Sequence, residues 1–354
     1  MRVLITGICG FVGSTLARTW IERGSGHTLL GIDSLVRPGS ERNRQALRKL
    51  GVTMIHADVR SASDFDSLPK ADWVIDAAAN PSVLAGVDGR TSSRQIVEHN
   101  LSGTVNILEY CRRHRAGLIL LSTSRVYSIA GLSTLRMQAV DDAFTPVAGQ
   151  AIEGLSGDGI AETFSTASPV SLYGATKRAS EELALEYGHA FDLPVRINRC
   201  GVLAGAGQFG RADQGIFSYW IHSWAAGRPL SYIGFNGTGW QVRDCLHPRD
   251  LISLIDRQMA SDSCRSNTII NASGGADSAI SLRQCSEWCT RRFGPREVSP
   301  TLTQRAYDIP WLVLDSRRAV TEWAWRPETS RDAIFTEIAD HAVSNPDWLE
   351  LTND

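Results

Sequence analysis

A tyrosine and a lysine stand four residues apart in the stretch YGATK, at Tyr173 and Lys177. On a helix that spacing puts both side chains on one face. A tyrosine hydroxyl ionises near pH ~10 and is a poor base at neutrality. A neighbouring ammonium favours the phenolate, lowers that pKa and can also hold a ribose hydroxyl. The pair reads as a general acid and base working beside a bound cofactor. Lysine is rare in this chain: Lys49, Lys70 and Lys177 are the only lysines among 36 basic residues. A compact ammonium with a tunable pKa does what a permanently charged guanidinium does not. Amphipathic helices also produce this spacing by chance, so its meaning depends on what accompanies it.

The companion is LITGICGFVG at positions 4–13, where Gly7, Gly10 and Gly13 follow a strand and open a helix. The first glycine allows the sharp turn, the second lets backbone approach a pyrophosphate, and the third lets the helix pack on the sheet. The helix N-terminus adds free N–H groups and partial positive charge. Some twenty residues on, Asp33 ends the second strand, placed to accept hydrogen bonds from ribose hydroxyls. Its charge repels a 2′-phosphate, which favours NAD over NADP. Arg37 nearby leaves NADP as the alternative.

These groups need a scaffold that alternates strands and helices. Strands are predicted at 2–6, 28–32, 52–56, 71–78, 117–123 and 194–198. Helices are predicted at 11–24, 40–50, around 93–114, at 171–191 and at 215–226. Alternation of this kind implies βαβ units and a parallel sheet covered on both faces. Between 124 and 172 the periodicity fades over a stretch long for a plain connection. Beyond about 200 the pattern turns mixed. The expected architecture is α/β: a Rossmann-type, doubly wound parallel sheet over residues 1–200, including the Tyr–Lys helix. A smaller mixed α/β lobe is expected over 201–354, with some elements returning to the sheet.

The order and spacing of the motifs resemble the extended short-chain dehydrogenase/reductases, in their nucleotide-sugar epimerase/dehydratase group. The shared stretches are the three glycines, Asp33, Asp58-Val59, DAAA at 76–79, NLSGTVNILE at 100–109, STSRVY at 122–127, YGATK, and QVRDCLHPRDL at 241–251. The resemblance implies that Thr123 hydrogen-bonds the reacting sugar oxygen, Tyr173 is the base and Lys177 its partner. It implies cofactor contacts at Gly7, Gly10, Phe11, Val12, Gly13, Asp33, Ser34, Asp58, Val59, Ala77, Ala78, Ala79, Asn100 and Lys177. On the substrate side it implies Asn80, Ser124, Gln208, Phe209, Gln214, Arg243 and Arg305. The two arginines are read as clamps on a diphosphate, which suits a guanidinium fork. For Gln208, Phe209, Asp213 and Gln214 the other reading is a solvated turn.

Dehydratases of that group carry an Asp-Glu pair directly after the active-site Thr; here Ser124 and Arg125 stand there. Epimerisation, which needs only hydride and proton movement, is favoured. GQFGRADQGIFSYWI at 207–221 and GTGWQVRDCLHPRDLISL at 237–254 resemble the CDP-paratose 2-epimerase branch. That implies a CDP-sugar-like substrate, reaction at C2 and NAD regenerated at each turnover. Asp76, Ser128, Cys200-Gly201 and Ala204-Gly205 depart from the group's usual residues. A net dehydrogenase or reductase, and a catalytically silent NAD-binding regulator, are the competing readings.

Composition fits this. The 354 residues carry a formal charge of -2, which gives no basic surface for nucleic acid or an anionic membrane. No apolar run approaches the ~20 residues of a membrane span. With a strand expected from Arg2, there is no room for a signal peptide, and the expected location is cytoplasmic. Seven scattered cysteines read as small core residues. Cys285 and Cys289, one turn apart, lack a second pair with zinc spacing, so no metal is expected. Trp311, Trp323 and Trp325 are read as packing residues. The family commonly pairs through the helices near 100–114 and 171–191, so a homodimer or homotetramer is expected.

Overall fold

The computed structural model describes residues 1–87, 89, 92–212, 214–261, 268–303 and 306–352. Seven parallel strands form the main sheet: β1 (Arg2–Thr6), β2 (Thr28–Asp33), β3 (Thr53–His56), β4 (Trp73–Asp76), β5 (Gly117–Thr123), β6 (Val195–Cys200) and β7 (Thr268–Ala272). Their order across the sheet is 7-6-5-4-1-2-3. The chain therefore winds outward from β1 to β3, then returns to build the other side from β4. This is the Rossmann-type arrangement, and it opens a crevice beyond the strand ends where β1 and β4 diverge.

The strands inside the sheet are buried on both faces, as a covered parallel sheet requires, while the edge strand β3 is exposed at Thr53 and His56. Val3, Ile5, Ile75 and Ile119 face helices α1 (Phe11–Glu22) and, from the C-terminal half, Leu251–Ala260. Leu4, Val74, Leu118 and Leu120 face the helix Gly103–His114 and the long helix Ser171–Phe191. The period of two along each strand is what divides the two layers. A separate apolar cluster fills the C-terminal lobe, built from Phe217, Trp220, Trp224, Ile334 and Phe335. Cys285 and Cys289 are fully buried in that cluster; Cys264 lies outside the described residues. Trp311 and Trp325 are buried and Trp323 partly so, in packing positions.

Several predicted elements keep their limits: β1, β5 and the helix 171–191 begin and end where periodicity puts them. The helix expected over 93–114 is instead broken. An α-turn (Ser93–Val97) passes into a π-turn (Glu98–Ser102) before α-helix resumes at Gly103. The wider turn swings Asn100 inward, where it is 3% exposed. The stretch 124–172 contains a short helix (Ile129–Ser133) and two small hairpins that pack Leu132 and Phe164 against Trp311 and Leu314.

The helix Ser171–Phe191 is held on the sheet by a buried carboxylate. Glu181 accepts from Ser122 Oγ at 2.5 Å and from Arg199 Nη2 at 2.7 Å and Nε at 3.1 Å. Ser122 belongs to β5 and Arg199 to β6. The side chains of Arg199 and Glu181 are 7% and 2% exposed. Nearer its start the helix lies directly on backbone: a Cβ at Gly174 would come 2.3 Å from the Arg125 carbonyl oxygen. In the C-terminal lobe Asp244, 1% exposed, accepts from Ser273 Oγ at 2.5 Å and from the Leu314 amide at 2.9 Å. Ser273 directly follows β7, so this carboxyl links the lobe to the main sheet.

Two stability predictions follow from these carboxylates. Arg199→Met leaves Glu181 buried without its counter-charge and is expected to cost about 3–5 kcal/mol, much of it recovered in Arg199→Met/Glu181→Leu. Urea denaturation midpoints of the four-member cycle measure this. Burial pushes the Asp244 carboxyl up to about 6. Between roughly pH 4 and pH 6 the folded protein then holds a proton that the unfolded chain has released. Stability from this group falls as pH rises through that window and is level above it. Asp244→Asn is expected to remove about 3 kcal/mol of that slope, seen as a pH-dependent gap between the two proteins' unfolding curves.

Candidate active site

The turn after β1 is tight because side chains are absent. Gly7 has φ +61, and a Cβ there would lie 2.9 Å from Ala78 Cα. A Cβ at Gly13 would lie 2.5 Å from the Gly7 carbonyl oxygen, so α1 seats on the turn itself. Below the turn, Thr6 Oγ1 donates to Asp76 Oδ1 at 2.7 Å and accepts from the Ala78 amide at 3.1 Å. These bonds tie the ends of β1 and β4 together at the crevice. Asp76, a departure from the usual residue of the group, thus has a structural partner of its own.

A cleft of about 320 Å³ opens above. It is lined by Gly7, Gly10, Phe11, Val12, Asp33, Ser34, Asp58, Val59 and Ala77–Ala79, and reaches Thr123 and Tyr173. Eleven of the residues expected at the cofactor therefore do converge, along with both neutral catalytic candidates. The N-terminus of α1 opens here with no acidic residue in its first turn, so its amides and partial charge suit a pyrophosphate. Asp33 accepts from the Cys9 amide and from the Leu35 amide, both at 2.8 Å, which fixes its carboxylate at the cleft wall. Burial raises its pKa and those two amides oppose the rise. Asp58 is gripped by Arg60, with Nε at 3.0 Å and Nη2 at 2.5 Å, and this hydrogen bonding lowers its pKa. The groups present fit a dinucleotide without a 2′-phosphate.

A second cleft, of about 370 Å³, runs toward the C-terminal lobe. Ser124, Arg125, Tyr219, Trp220, Gln241 and Arg243 line it. Thr123, Tyr173 and Gln214 line both clefts and mark their junction. Thr123 ends β5 beside Cys200, the last residue of β6. Its Oγ1 accepts from the Arg125 amide at 3.2 Å, and its side chain lies near enough to the Tyr173 phenol to lower that group's pKa. Two hydroxyls thus meet where a ligand in either cleft ends.

The Tyr173 phenol does not lie below its ordinary pKa in this structure. Burial pushes the phenol up to about 12, opposed by the Thr123 side chain and by the Arg125 charge. Lys177 is 2% exposed and its charge lowers the pKa of the buried Cys200 thiol. Arg125, which motif reading did not assign, lowers the phenol's pKa by its charge.

Four further expectations change. Asn100 does not line the first cleft; its Oδ1 accepts from the Asn80 amide at 2.8 Å and its Nδ2 donates to the Asn80 carbonyl at 3.1 Å. It shapes the backbone after β4. Asn80, expected on substrate, lines neither cleft. Gln208 and Phe209 wall the first cleft and not the second. Phe209 is 1% exposed and stacks on Trp348 with centroids 5.3 Å apart. Arg243 does line the second cleft, its guanidinium held by the carbonyls of Val242 at 2.7 Å and Ile309 at 2.9 Å. Arg305 and Asp213 lie outside the described residues.

His99 was not singled out by its motif, yet it lines the first cleft near Asp58, with Nδ1 3.0 Å from the Gln95 carbonyl oxygen and Nε2 buried without a partner. Its place comes from the π-turn, which periodicity does not reveal. Arg37, read as a possible 2′-phosphate ligand, donates instead to Phe209 O at 2.6 Å and Gln214 Oε1 at 3.1 Å.

The chain is similar to known proteins along most of its length. It is 27% identical over 349 residues to the CDP-paratose 2-epimerase of Salmonella typhi, covering 93% of this chain and 96% of that one. It is 25% identical over 336 residues to a UDP-glucuronate 4-epimerase of Thermodesulfobacterium geofontis, covering 92% and 91%. Its fold matches the UDP-glucuronic acid 4-epimerase of Bacillus cereus, solved with UDP-glucuronic acid and NAD, at a TM-score of 0.75 and 22% identity over 97% of this chain and 99% of that one. Residues 3–273, which hold the whole first cleft and the Thr123–Tyr173 contact, match the NAD dependent epimerase/dehydratase family, and the chain is a member of it.

Proposed function

We propose that this protein is an NAD-dependent epimerase of a nucleotide-diphosphate sugar. The observation that carries the reading is the meeting of Thr123 and Tyr173 at the junction of two clefts. On this reading the first cleft takes NAD and the second takes the sugar nucleotide, with Arg243 and Arg305 toward its diphosphate. Residues 1–200 then carry the cofactor and residues 201–354 mainly the substrate.

NAD, when bound, supplies a hydride acceptor next to the sugar carbon and returns the hydride to it. The chain's residues manage the proton and the orientation. Tyr173 takes the proton of the substrate hydroxyl and later gives it back to the keto oxygen. Thr123, beside the phenol, is placed to hydrogen-bond that oxygen, so the proton path is short. Arg125 lines the second cleft beside them and favours the charged form of the phenol. Lys177 supports the same helix face. Turning the keto-sugar between proton removal and return inverts the centre.

Ser124 and Arg125 stand where an eliminating acid pair would have to be, which supports epimerisation over loss of water. The C2 position and a CDP-sugar-like substrate are supported by the similarity to a CDP-paratose 2-epimerase over 93% of the chain. No helix among the described residues is long and apolar enough to cross a membrane. The reading includes a cytoplasmic enzyme, assembled as a homodimer or homotetramer.

The test is incubation with CDP-, UDP-, GDP- and dTDP-sugars in deuterated water, followed by NMR. One of them is expected to invert at a single carbon without taking up solvent deuterium there. Deuterium in the inverted C–H would replace hydride return with proton abstraction from carbon. Stoichiometric release of NADH would make the protein a net dehydrogenase. Tyr173→Phe is expected to lower turnover by about 10²–10⁴-fold while the protein still binds NAD. Unchanged turnover in that variant removes Tyr173 as the base.

A further inference from the structure

Arg37 comes from the loop after β2, and Phe209 and Gln214 come from a stretch more than 170 residues later, yet all three line the first cleft. The guanidinium lies over the Phe209 ring, 5.6 Å from its centroid, while Nη2 donates to the Phe209 carbonyl at 2.6 Å and Nη1 to Gln214 Oε1 at 3.1 Å. A planar fork suits this combination of stacking and two hydrogen bonds, which an ammonium would not reproduce.

The far side of the same stretch is anchored independently. Trp348 stacks on Phe209 with an interplanar angle of 15°, and its Nε1 donates to the Gln208 carbonyl at 2.9 Å. Arg42 lies over Trp348, 6.0 Å from the ring centroid. Ser218 Oγ donates to the Gln208 carbonyl at 3.2 Å. Gln208 Nε2 donates to the Leu203 carbonyl at 2.7 Å, while its Oε1 is buried without a partner and the residue lines the cleft. A buried acceptor facing a ligand cleft is best satisfied by a donor from the ligand.

We propose that Arg37 is a positioning residue that retains the dinucleotide, by holding Gln208, Phe209 and Gln214 as a clasp across the first cleft. The clasp rests on the reading above that this cleft takes NAD. It goes further in saying why the cofactor stays between turnovers: leaving the cleft requires the guanidinium to release two hydrogen bonds and a stacked ring. Because Gln214 also lines the second cleft, the segment that retains NAD borders the sugar site. Arg37 therefore serves retention rather than recognition of a 2′-phosphate.

The experiment measures NAD itself. Purified wild type and Arg37→Ala are loaded with NAD, passed through gel filtration, and denatured to release bound nucleotide for quantitation. The dissociation rate is followed by chase with labelled NAD. Arg37→Ala is expected to lose NAD about tenfold faster, with its unfolding midpoint in the NAD-free state close to wild type. The NAD concentration for its half-maximal rate is expected to be raised. Gln214→Leu removes the bond to its Oε1 and is expected to fall between, which keeps the test valid if Arg37→Ala folds poorly. Arg37→Lys is expected to restore little. Dissociation at the wild-type rate in both Arg37→Ala and Gln214→Leu overturns the clasp. So does wild type that sheds NAD as fast as the variants. Either result leaves the epimerase reading to the sugar NMR experiment, which fails or succeeds separately.

Discussion

One buried carboxylate holds the reactive helix on the sheet. Glu181 lies two turns along from Tyr173 and binds Ser122 of β5 and Arg199 of β6 at once. A buried charge is tolerated only with its counter-charge and hydrogen bonds in place. This one has both, and Arg199 extends the network through the Tyr127 ring and hydroxyl to Asn271 of β7. Three adjacent strands and the helix are thereby locked in one relative position. Thr123 directly follows Ser122 on β5, so the same lock sets the distance between Thr123 and Tyr173. The hydroxyl pair at the junction is a consequence of a charge pair beneath it.

The cleft on the other side of that junction depends on missing atoms rather than charges. Gly7 and Gly13 bring α1 onto the end of β1 closer than any Cβ would allow. The helix N-terminus then opens at the strand ends, where a parallel sheet already diverges. Thr6 and Asp76 close the gap below. Backbone amides at such a turn are pre-oriented for an anion and lose little freedom when one binds. The C-terminal lobe completes the site by supplying the wall opposite, with Gln208, Phe209, Gln214 and Gly215.

Much of this was legible in order along the chain. The limits of β1, β5 and the helix 171–191 follow from local periodicity, because each is a continuous apolar or amphipathic run. Gly7, Asp33, Ala77–Ala79, Thr123 and Tyr173 each sit at the end of such a run or close to one, so their convergence follows from the topology alone. Asn80 and Phe209 did not go where motif order suggested. Asn100 captures the backbone at residue 80 through a π-turn, and a helical period has no term for one extra residue. Phe209 turns to Trp348, whose distance of 139 residues along the chain hides the contact.

The sequence by itself determined the α/β architecture, the phosphate-binding turn, the acid at the second strand and the four-residue spacing of phenol and ammonium. These are local properties, set by side-chain period and backbone freedom within a few turns. The electrostatics of the site were decided by tertiary structure. Burial raises the Tyr173 phenol, the Arg125 charge lowers it, and Arg37 grips the far loop. Charge interactions depend on distance through space and on removal from water, and neither is encoded by spacing along the chain.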